Sequence, residues 1–152
     1  MKSLSNVNDK QVLLKRVAQV RSDSPRVWGK MSAPQMICHL SDSFRSKLGG
    51  KEVAAADNLF RRTVMKWGAL WVPLPWPRGI KTVPELDQQG GGTRPAEFEG
   101  DRQELISLTV QFAAKPAFLA TARHPFFGKM SINEWMRWAY LHMDHQLRQF
   151  NC

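Results

Sequence analysis

The sequence predicts an all-α protein, and three observations support this prediction. Apolar residues recur every three or four positions along several long stretches of the 152-residue chain. Two of these stretches begin with a capping box, in which a serine is followed three residues later by Gln or Glu. No period-two pattern outweighs the helical ones, and no internal repeat divides the chain. We therefore expect residues 1–152 to form one domain whose four main helices make a bundle.

The first predicted helix runs through the stretch KQVLLKRVAQV near the N-terminus. Asn8 or Ser5 can serve as its N-cap, because both side chains accept hydrogen bonds from free backbone N–H groups. The apolar residues of this helix lie near one face and are Val12, Leu13, Val17 and Val20. Pro25 and Gly29 break the pattern that follows.

The second predicted helix begins at the capping box SAPQ and ends before Gly49 and Gly50. Ser32 and Gln35 form the box, and Pro34 suits the first helical turn. The apolar stripe of this helix consists of Met36, Leu40, Phe44 and Leu48. His39 lies beside this stripe, so we expect it to border the buried face.

The stretch NLFRRTVMKWGALWV predicts a third, amphipathic helix packed against the core. Its apolar residues recur every three or four positions and are Phe60, Val64, Trp67 and Trp71, while Arg61, Arg62 and Lys66 fall largely on the other side. The following PLPWPRGIKTVPELDQQGGGTRP is rich in Pro and Gly and predicts a long loop between the third and fourth helices. Loops of this length in small domains often cover a site, so the loop is a candidate lid.

The fourth helix is predicted over EFEGDRQELISLTVQFAAK, with its acidic residues early, as the helix dipole favours. In HPFFG, Pro125 and Gly128 predict a turn, and His124 is interpreted as a loop anchor packed by Phe126 and Phe127. The capping box SINE, with Ser131 and Glu134, then starts a last helix over residues 132–150.

Composition limits the kinds of partner. The chain carries 22 Lys and Arg against 13 Asp and Glu, and residues 1–84 hold 15 of the basic but only 5 of the acidic side chains. This surplus fits nucleic acid, anionic lipid or an anionic small molecule, but a solvated basic surface explains it as well. No Lys/Arg block resembles a nucleic-acid-binding tail, and prolines break the most apolar stretch. We expect a small-molecule ligand, and neither nucleic acid nor a membrane.

Two cysteines, Cys38 and Cys152, lack the spacing of a zinc ribbon or a disulfide framework. The N-terminal stretch MKSLSNVNDKQ lacks the apolar segment of a signal peptide. Both observations favour a cytoplasmic protein.

The last helix contains candidate metal ligands in the stretch YLHMDHQLRQF. On a helix, position 146 lies roughly 40° round from His142, and position 145 lies roughly 60° the other way. Either Gln146 or His145 can therefore join His142 at one metal ion, with the i+4 partner better placed. The other interpretation, favoured by spacing alone, is that His39 packs between helices while His142 and His145 hydrogen-bond a loop.

Several motifs together resemble the DinB/YfiT-like superfamily, in particular a bacterial branch ending in H-x-D-H-H-L-R-Q-F. These motifs are WGKMSAPQMICHLSDS, PWPRGIKTVPELD, EFEGDRQEL, HPFFGKMSINEW and HMDHQLRQF. The resemblance implies a four-helix bundle, often dimeric. It also implies a divalent metal (Zn, Ni or Fe) held by one histidine of the second helix and two histidines four apart on a late helix.

Transferred to this chain, the resemblance implies His39 and His142 as ligands, and the third position falls on Gln146. The chain departs from the family pattern there, and the third ligand is left open between Gln146 and the adjacent His145. The implied activity is that of a metal-dependent enzyme, such as a thiol-dependent S-transferase using a low-molecular-weight thiol. Arg61, Arg62 and Arg78 are candidates for holding an anionic thiol.

A second hypothesis makes the chain a non-catalytic helical bundle that binds an apolar ligand or acts as a dimeric interaction module, and Gln146 favours it. Whether the chain is an enzyme is left open between the two. Asp42 and Asp144 are candidates for orienting an imidazole, although solvation at the surface is the expected role of both. Cys38 is expected to be a small core residue.

Overall fold

A computed structural model describes residues 1–114 and 116–152, and these residues are mainly helical. The helices are α1 (Val7–Gln19), α2 (Ala33–Arg45), α3 (Lys66–Trp71, preceded by a π-helical turn, Arg61–Met65), α4 (Phe98–Ala114), α5 (Pro116–Leu119) and α6 (Ile132–Arg148). A 3-10 turn, Pro84–Leu86, interrupts the long loop. The predicted all-α class is confirmed. Lys115, with which the predicted fourth helix ends, lies outside the described residues.

The regular strands in the described residues are two short ones, β1 (Arg123–His124) and β2 (Gly128–Lys129), which pair antiparallel. Sequence patterning did not predict them, because two residues are too few to show alternation. The predicted turn between them is confirmed: the Nδ1 atom of His124 accepts hydrogen bonds from the backbone N–H groups of Phe126 and Phe127. Burial, with the charge of nearby Lys47, keeps the pKa of His124 well below its ordinary value, so the ring is neutral and can accept.

Both predicted capping boxes are present. Ser32 and Gln35 exchange their side-chain bonds at the start of α2, and Ser131 and Glu134 do the same at the start of α6. The predicted caps of α1 are wrong, since Asn6 accepts from the backbone of Asp9 and the helix begins one residue later.

The core lies where α2 packs against α4 and α6, with α1 alongside. Phe44 of α2 meets Phe112 of α4 at 5.0 Å between ring centroids, and Phe112 meets Trp135 of α6 at 6.4 Å. The predicted stripe of α2 is buried at Met36, Leu40 and Phe44. These contacts hold α2 and α6 side by side, so residues midway along the two helices can meet.

The third helical segment is oriented differently from the prediction. Its predicted core residues Phe60, Val64, Trp67 and Trp71 all face outward, and only Leu70 is fully buried. The segment is short, and it is held by its other face: Lys66 pairs with Glu134 at 3.0 Å, and the Leu70 carbonyl accepts from Arg137 at 2.9 Å. The apolar residues of this segment do share one face, as predicted, but the pattern of a single sequence does not say whether that face meets the core or the solvent.

The long loop over residues 72–97 is attached to α2 through Asp42. This carboxylate is completely buried and accepts from the backbone N–H of Thr93 at 2.7 Å and from its hydroxyl at 2.6 Å. Lys51 and Arg45 complete its partners at 2.8 and 2.9 Å. The expectation that Asp42 is solvated is therefore wrong, because the loop closes over it.

Of the helices in the described residues, none combines the length and the apolar character that crossing a bilayer requires.

Candidate functional site

The structure brings His39 and His142 face to face between α2 and α6. Their Nε2 atoms are 3.2 Å apart, and the two rings meet edge to face with centroids 5.2 Å apart. His39 lies in the middle of α2, which is buried on nearly all sides, and His142 lies in the second half of α6. The pairing of two long helices thus produces the contact that sequence spacing alone could not establish.

The long loop fixes the proton position on His39. The Nδ1 atom of His39 is 2.9 Å from the carbonyl oxygen of Leu86. Because a carbonyl can only accept, Nδ1 must carry the proton, and Nε2 of the neutral ring presents a lone pair towards His142. A backbone carbonyl that orients the far side of an imidazole in this way is a common feature of metal-binding histidines.

Gln146 completes the group from the next turn of α6. Its Nε2 atom is 3.5 Å from Nε2 of His142, and its Oε1 atom accepts a hydrogen bond from Gln149. A half-turn of both carboxamides would keep the bond between the glutamines and present the Gln146 oxygen to His142 instead. Gln146 can therefore act as an amide donor or as a carbonyl ligand.

The donor geometry fits a divalent ion. Two nitrogens bound to zinc at about 2.0–2.1 Å with tetrahedral angles lie about 3.3 Å apart, close to the observed 3.2 Å. The same spacing also fits an N–H···N hydrogen bond, in which His142 donates to His39. The Nδ1 atom of His142 is buried without a hydrogen-bond partner in the described residues. The possible ligands at this site are therefore the imidazoles of His39 and His142 and the amide of Gln146. Within residues 1–114 and 116–152, no three His, Cys, Asp or Glu side chains lie close enough together to hold a metal.

Burial keeps the imidazoles of this site neutral. It lowers the pKa of His39, and together with the charges of neighbouring histidines it lowers the pKa of His142 well below the ordinary value. The pKa of His145 falls to about 4, again mainly through burial. Neutral imidazole is the form that binds metals, so the environment favours ligation over protonation.

His145 faces a cavity and makes no hydrogen bond with His142, whose described partners are His39 and Gln146. Its ring packs against Trp28 at 4.8 Å and Trp76 at 5.8 Å. The cavity has a volume of about 320 Å³, with Val72, Pro73 and Trp76 on one side and Tyr140, His145 and Arg148 on the other. Trp76 also stacks over His142 at 6.1 Å, so one side chain contacts both the cavity and the histidine pair.

The three arginines predicted to hold an anion are already engaged. Arg61 donates to the Ala56 carbonyl, and Arg62 pairs with Asp57 at 2.7 Å. Arg78 lies over the ring of Trp28 at 5.3 Å, which places this arginine near His145 but not in contact with the histidine pair.

Two other predicted candidates lie outside the site. Cys38 is buried, as expected, and burial next to Asp101 raises the pKa of its thiol to about 12, so it stays protonated. Asp144 is mostly buried between Arg16 and Arg148, at 2.6 and 2.8 Å, instead of being solvated as expected.

Sequence reasoning missed three contributors to the site. The Leu86 carbonyl is a backbone group, and no sequence signal marks it. Trp76 was not singled out, although it lies in the proline-rich loop that was predicted as a candidate lid, and this place was the available signal. Gln149, which orients Gln146, falls on the same helical stripe as His142, and this spacing was the available signal.

Comparisons with known proteins place the chain in a family. Residues 3–152 match the family described as "Protein of unknown function (DUF1569)", and the chain therefore belongs to this family. No curated protein and no solved structure matched the chain.

Proposed function

We propose that His39, His142 and Gln146 form a divalent metal centre and that the chain is a metal-dependent enzyme of the DinB/YfiT-like type. The observation that carries this proposal is the opposed pair of Nε2 atoms 3.2 Å apart, with the far side of His39 bonded to Leu86. Gln146 is preferred over His145 as third ligand, because it reaches His142 while His145 lines the cavity. Zinc, nickel and iron all accept imidazole ligands.

The surrounding residues hold the ligands and limit water. The Leu86 carbonyl sets the tautomer of His39, and Gln149 orients the carboxamide of Gln146. Trp138 packs against His142 from the helix, at 5.1 Å, while Trp76 covers it from the loop. Rings held on two sides keep their nitrogens in position, which lowers the cost of ordering them on binding.

The cavity beside His145 is the proposed substrate site. When bound, a divalent ion would act as a Lewis acid and lower the pKa of a thiol or water molecule at an open coordination position. The cavity offers apolar walls at Val72 and Pro73 and a cation at Arg148, which suit an apolar molecule carrying an anionic group. A thiol-dependent S-transferase using a low-molecular-weight thiol is the reaction class that the DinB/YfiT-like resemblance supports.

Metal content tests the proposal directly. Protein prepared without a His tag or chelator should contain about one equivalent of zinc, nickel or iron, and His142→Ala should lose it. Gln111→Ala, on the exposed side of α4, is the matched control and should retain it. Thermal unfolding of each variant separates lost ligation from lost folding. A wild-type protein that stays metal-free after zinc is added, or His142→Ala protein that keeps its metal, would refute the centre.

Cobalt substitution tests the thiol step separately. The visible spectrum of the cobalt-loaded protein should change when a low-molecular-weight thiol is added, because sulfur coordination produces charge-transfer bands. A cobalt spectrum that does not change with any thiol tested would still support a metal-dependent enzyme, but it would refute the S-transferase.

One observation favours the second candidate, a non-catalytic bundle that binds an apolar ligand or a second copy. The hydrogen bonds from His142 to His39 and from Gln149 to Gln146 connect the group without any ion. In that case His39→Ala changes stability or ligand binding and leaves metal content unchanged.

The proposal also includes the type of helical bundle. The packing of α1, α2, α4 and α6 supports a four-helix bundle of the DinB/YfiT type. A homodimer, a cytoplasmic setting, a bacterial source and the absence of a nucleic-acid partner stay predictions.

A further inference from the structure

The third helical segment has an apolar stripe that nothing in the described chain covers. The stripe comprises Phe60, Val64, Trp67, Trp71 and Leu74, and we call it the outer stripe. Phe60 is 59% exposed, Trp67 63% and Leu74 71%, which are large fractions for side chains of this size. Phe60, Val64, Trp67 and Trp71 recur at intervals of three or four residues along the helical turns, so they lie on one face, and exposed Leu74 follows just after the helix ends.

The opposite face of the segment is firmly attached, so the outer stripe is not a core face that has come loose. Leu70 is fully buried, its carbonyl accepts from Arg137 at 2.9 Å, and Lys66 pairs with Glu134 at 3.0 Å. Trp76 donates to the Ala69 carbonyl at 2.7 Å and holds the C-terminal end. Turning the stripe inward would break all of these contacts.

The charge around the outer stripe is mainly basic. Residues 59–81 contain five basic side chains and no acidic one, namely Arg61, Arg62, Lys66, Arg78 and Lys81. Two more cations, Arg123 and Lys129, line a cavity of about 300 Å³ together with Arg62 and Lys66. Asp57 and Glu134 neutralise part of this charge, but the surface stays basic.

This combination selects one class of partner. A short helix with Trp, Phe and Leu on one face and flanking Lys and Arg is the composition of segments that lie in the plane of an anionic membrane surface. Tryptophan prefers the interface between headgroups and acyl chains, where its ring is apolar and its N–H is hydrated. A symmetric contact with a second copy would instead bring the same basic residues from both chains together, which like-charge repulsion opposes.

We propose that the outer stripe docks the protein on the surface of an anionic phospholipid bilayer. The apolar side chains enter the boundary between headgroups and acyl chains, and exposed basic residues nearby, such as Lys81, Arg123 and Lys129, contact the lipid phosphates. Lys66 stays paired with Glu134. No helix crosses the bilayer in this arrangement, so the proposal replaces only the expectation that a membrane is not a partner. It does not depend on the proposed metal centre.

Vesicle sedimentation with the full chain tests the docking. Wild-type protein should bind vesicles of phosphatidylglycerol and phosphatidylcholine at least about tenfold more strongly than vesicles of phosphatidylcholine alone, and the binding should weaken with salt. Trp67→Ser should reduce binding to the mixed vesicles by at least about fivefold. Val110→Ser, at an exposed valine of α4, is the matched control and should change it less than about twofold.

Three outcomes would overturn the docking. The first is no binding to the mixed vesicles, and the second is equal binding by wild type and Trp67→Ser, which would reduce the interaction to general charge attraction. The third is a stable dimer in light scattering that Trp67→Ser converts to a monomer, which would show that a second copy covers the stripe. The unfolding temperature of Trp67→Ser should match that of wild type, because the side chain is exposed, and metal content should be unchanged.

Discussion

The Nε2 atoms of His39 and His142 face each other at 3.2 Å although 103 positions separate the residues in sequence. The Leu86 carbonyl requires a proton on Nδ1 of His39, so the space between the two Nε2 atoms can hold one proton or one metal ion, but not two protons. The environment lowers the pKa of both rings and thereby disfavours the doubly protonated state as well. The pair therefore shares one proton in a hydrogen bond between two neutral rings, and the proposed metal ion would take the place of that proton.

The first prediction concerns the tautomers of this pair. In metal-free protein at neutral pH, His39 should carry its proton on Nδ1 and His142 on Nε2, because one ring must donate to the other. Nitrogen-15 chemical shifts of the imidazoles distinguish these forms. Adding zinc should move the His142 proton to Nδ1 and leave His39 as it is. Two Nδ1–H rings in the metal-free protein would contradict the hydrogen bond between them.

The second prediction concerns Gln146, the proposed third ligand. Replacing Gln146 by His places a second imidazole one helical turn from His142, and imidazole binds zinc more strongly than a carboxamide. The zinc dissociation constant should fall about ten- to hundredfold, as measured by competition with a chelator. Gln111→His introduces the same residue at an exposed position of α4 and is the control. An unchanged dissociation constant would show that position 146 does not face the ion.

The third prediction concerns the attachment of the long loop. Burial alone raises the pKa of Asp42, but hydrogen bonds from Lys51 and Thr93 outweigh it, and the pKa is lowered overall. A carboxyl whose pKa is lowered on folding stabilises the protein above its unfolded pKa of about 3.9, and this contribution disappears as the pH falls through the folded pKa. Acid should therefore release the loop.

Asp42→Asn tests this attachment without changing the size of the side chain. It should lower the free energy of unfolding at pH 7 by about 1–3 kcal/mol, because buried partners lose a charged acceptor. The loss should shrink as the pH falls below about 4, where the unfolded chain takes up the proton first, and should level off below the lowered pKa of the folded wild type. Urea unfolding across this range measures both. Asp23→Asn, at an exposed ion pair, is the control and should leave stability close to that of wild type.

Much of the helical framework could be predicted from sequence because its signals are local. Capping boxes depend on residues three apart, and Ser32 and Ser131 both mark their helices correctly. The stripe of α2 was also correct, since Met36 and Phe44 lie on a helix that is buried almost all round. The outer stripe has an equally clear period, yet its direction depends on how much core area remains for a short segment, which is a property of the whole fold.

The candidate site likewise has parts that local sequence signals predict and parts that depend on the whole fold. His142 and Gln146 were singled out from residue type and helical spacing, and His39 was added through a family resemblance; the structure brings the three side chains together. The contributions of the loop could not be predicted, because the Leu86 carbonyl and the stacking of Trp76 depend on how a proline-rich segment without a period crosses the helices. Asp42 was misjudged for the same reason, since its burial comes from Thr93, 51 positions away.

The fourth prediction concerns Gly29, which lies against the amide pair behind the site. Gly29 has a φ of +90°, and a Cβ there would clash with Oε1 of Gln149. Gly29→Ala should therefore strain the backbone and push Gln149 away from Gln146, lowering the free energy of unfolding by about 1–3 kcal/mol. Chemical unfolding measures this loss, and the affinity for zinc should fall with it, because Gln146 loses its orienting partner.

Gly68→Ala is the matched control for Gly29→Ala. A Cβ at Gly68 meets no atom within 4 Å, and the residue lies inside α3. Alanine has the higher helix propensity, so this variant should gain about 0.5–1 kcal/mol and leave zinc affinity unchanged. If Gly29→Ala were as stable as wild type, the close approach of Gln149 to Gly29 would not hold in solution. If it lost stability but kept its zinc affinity, Gln149 would not orient Gln146.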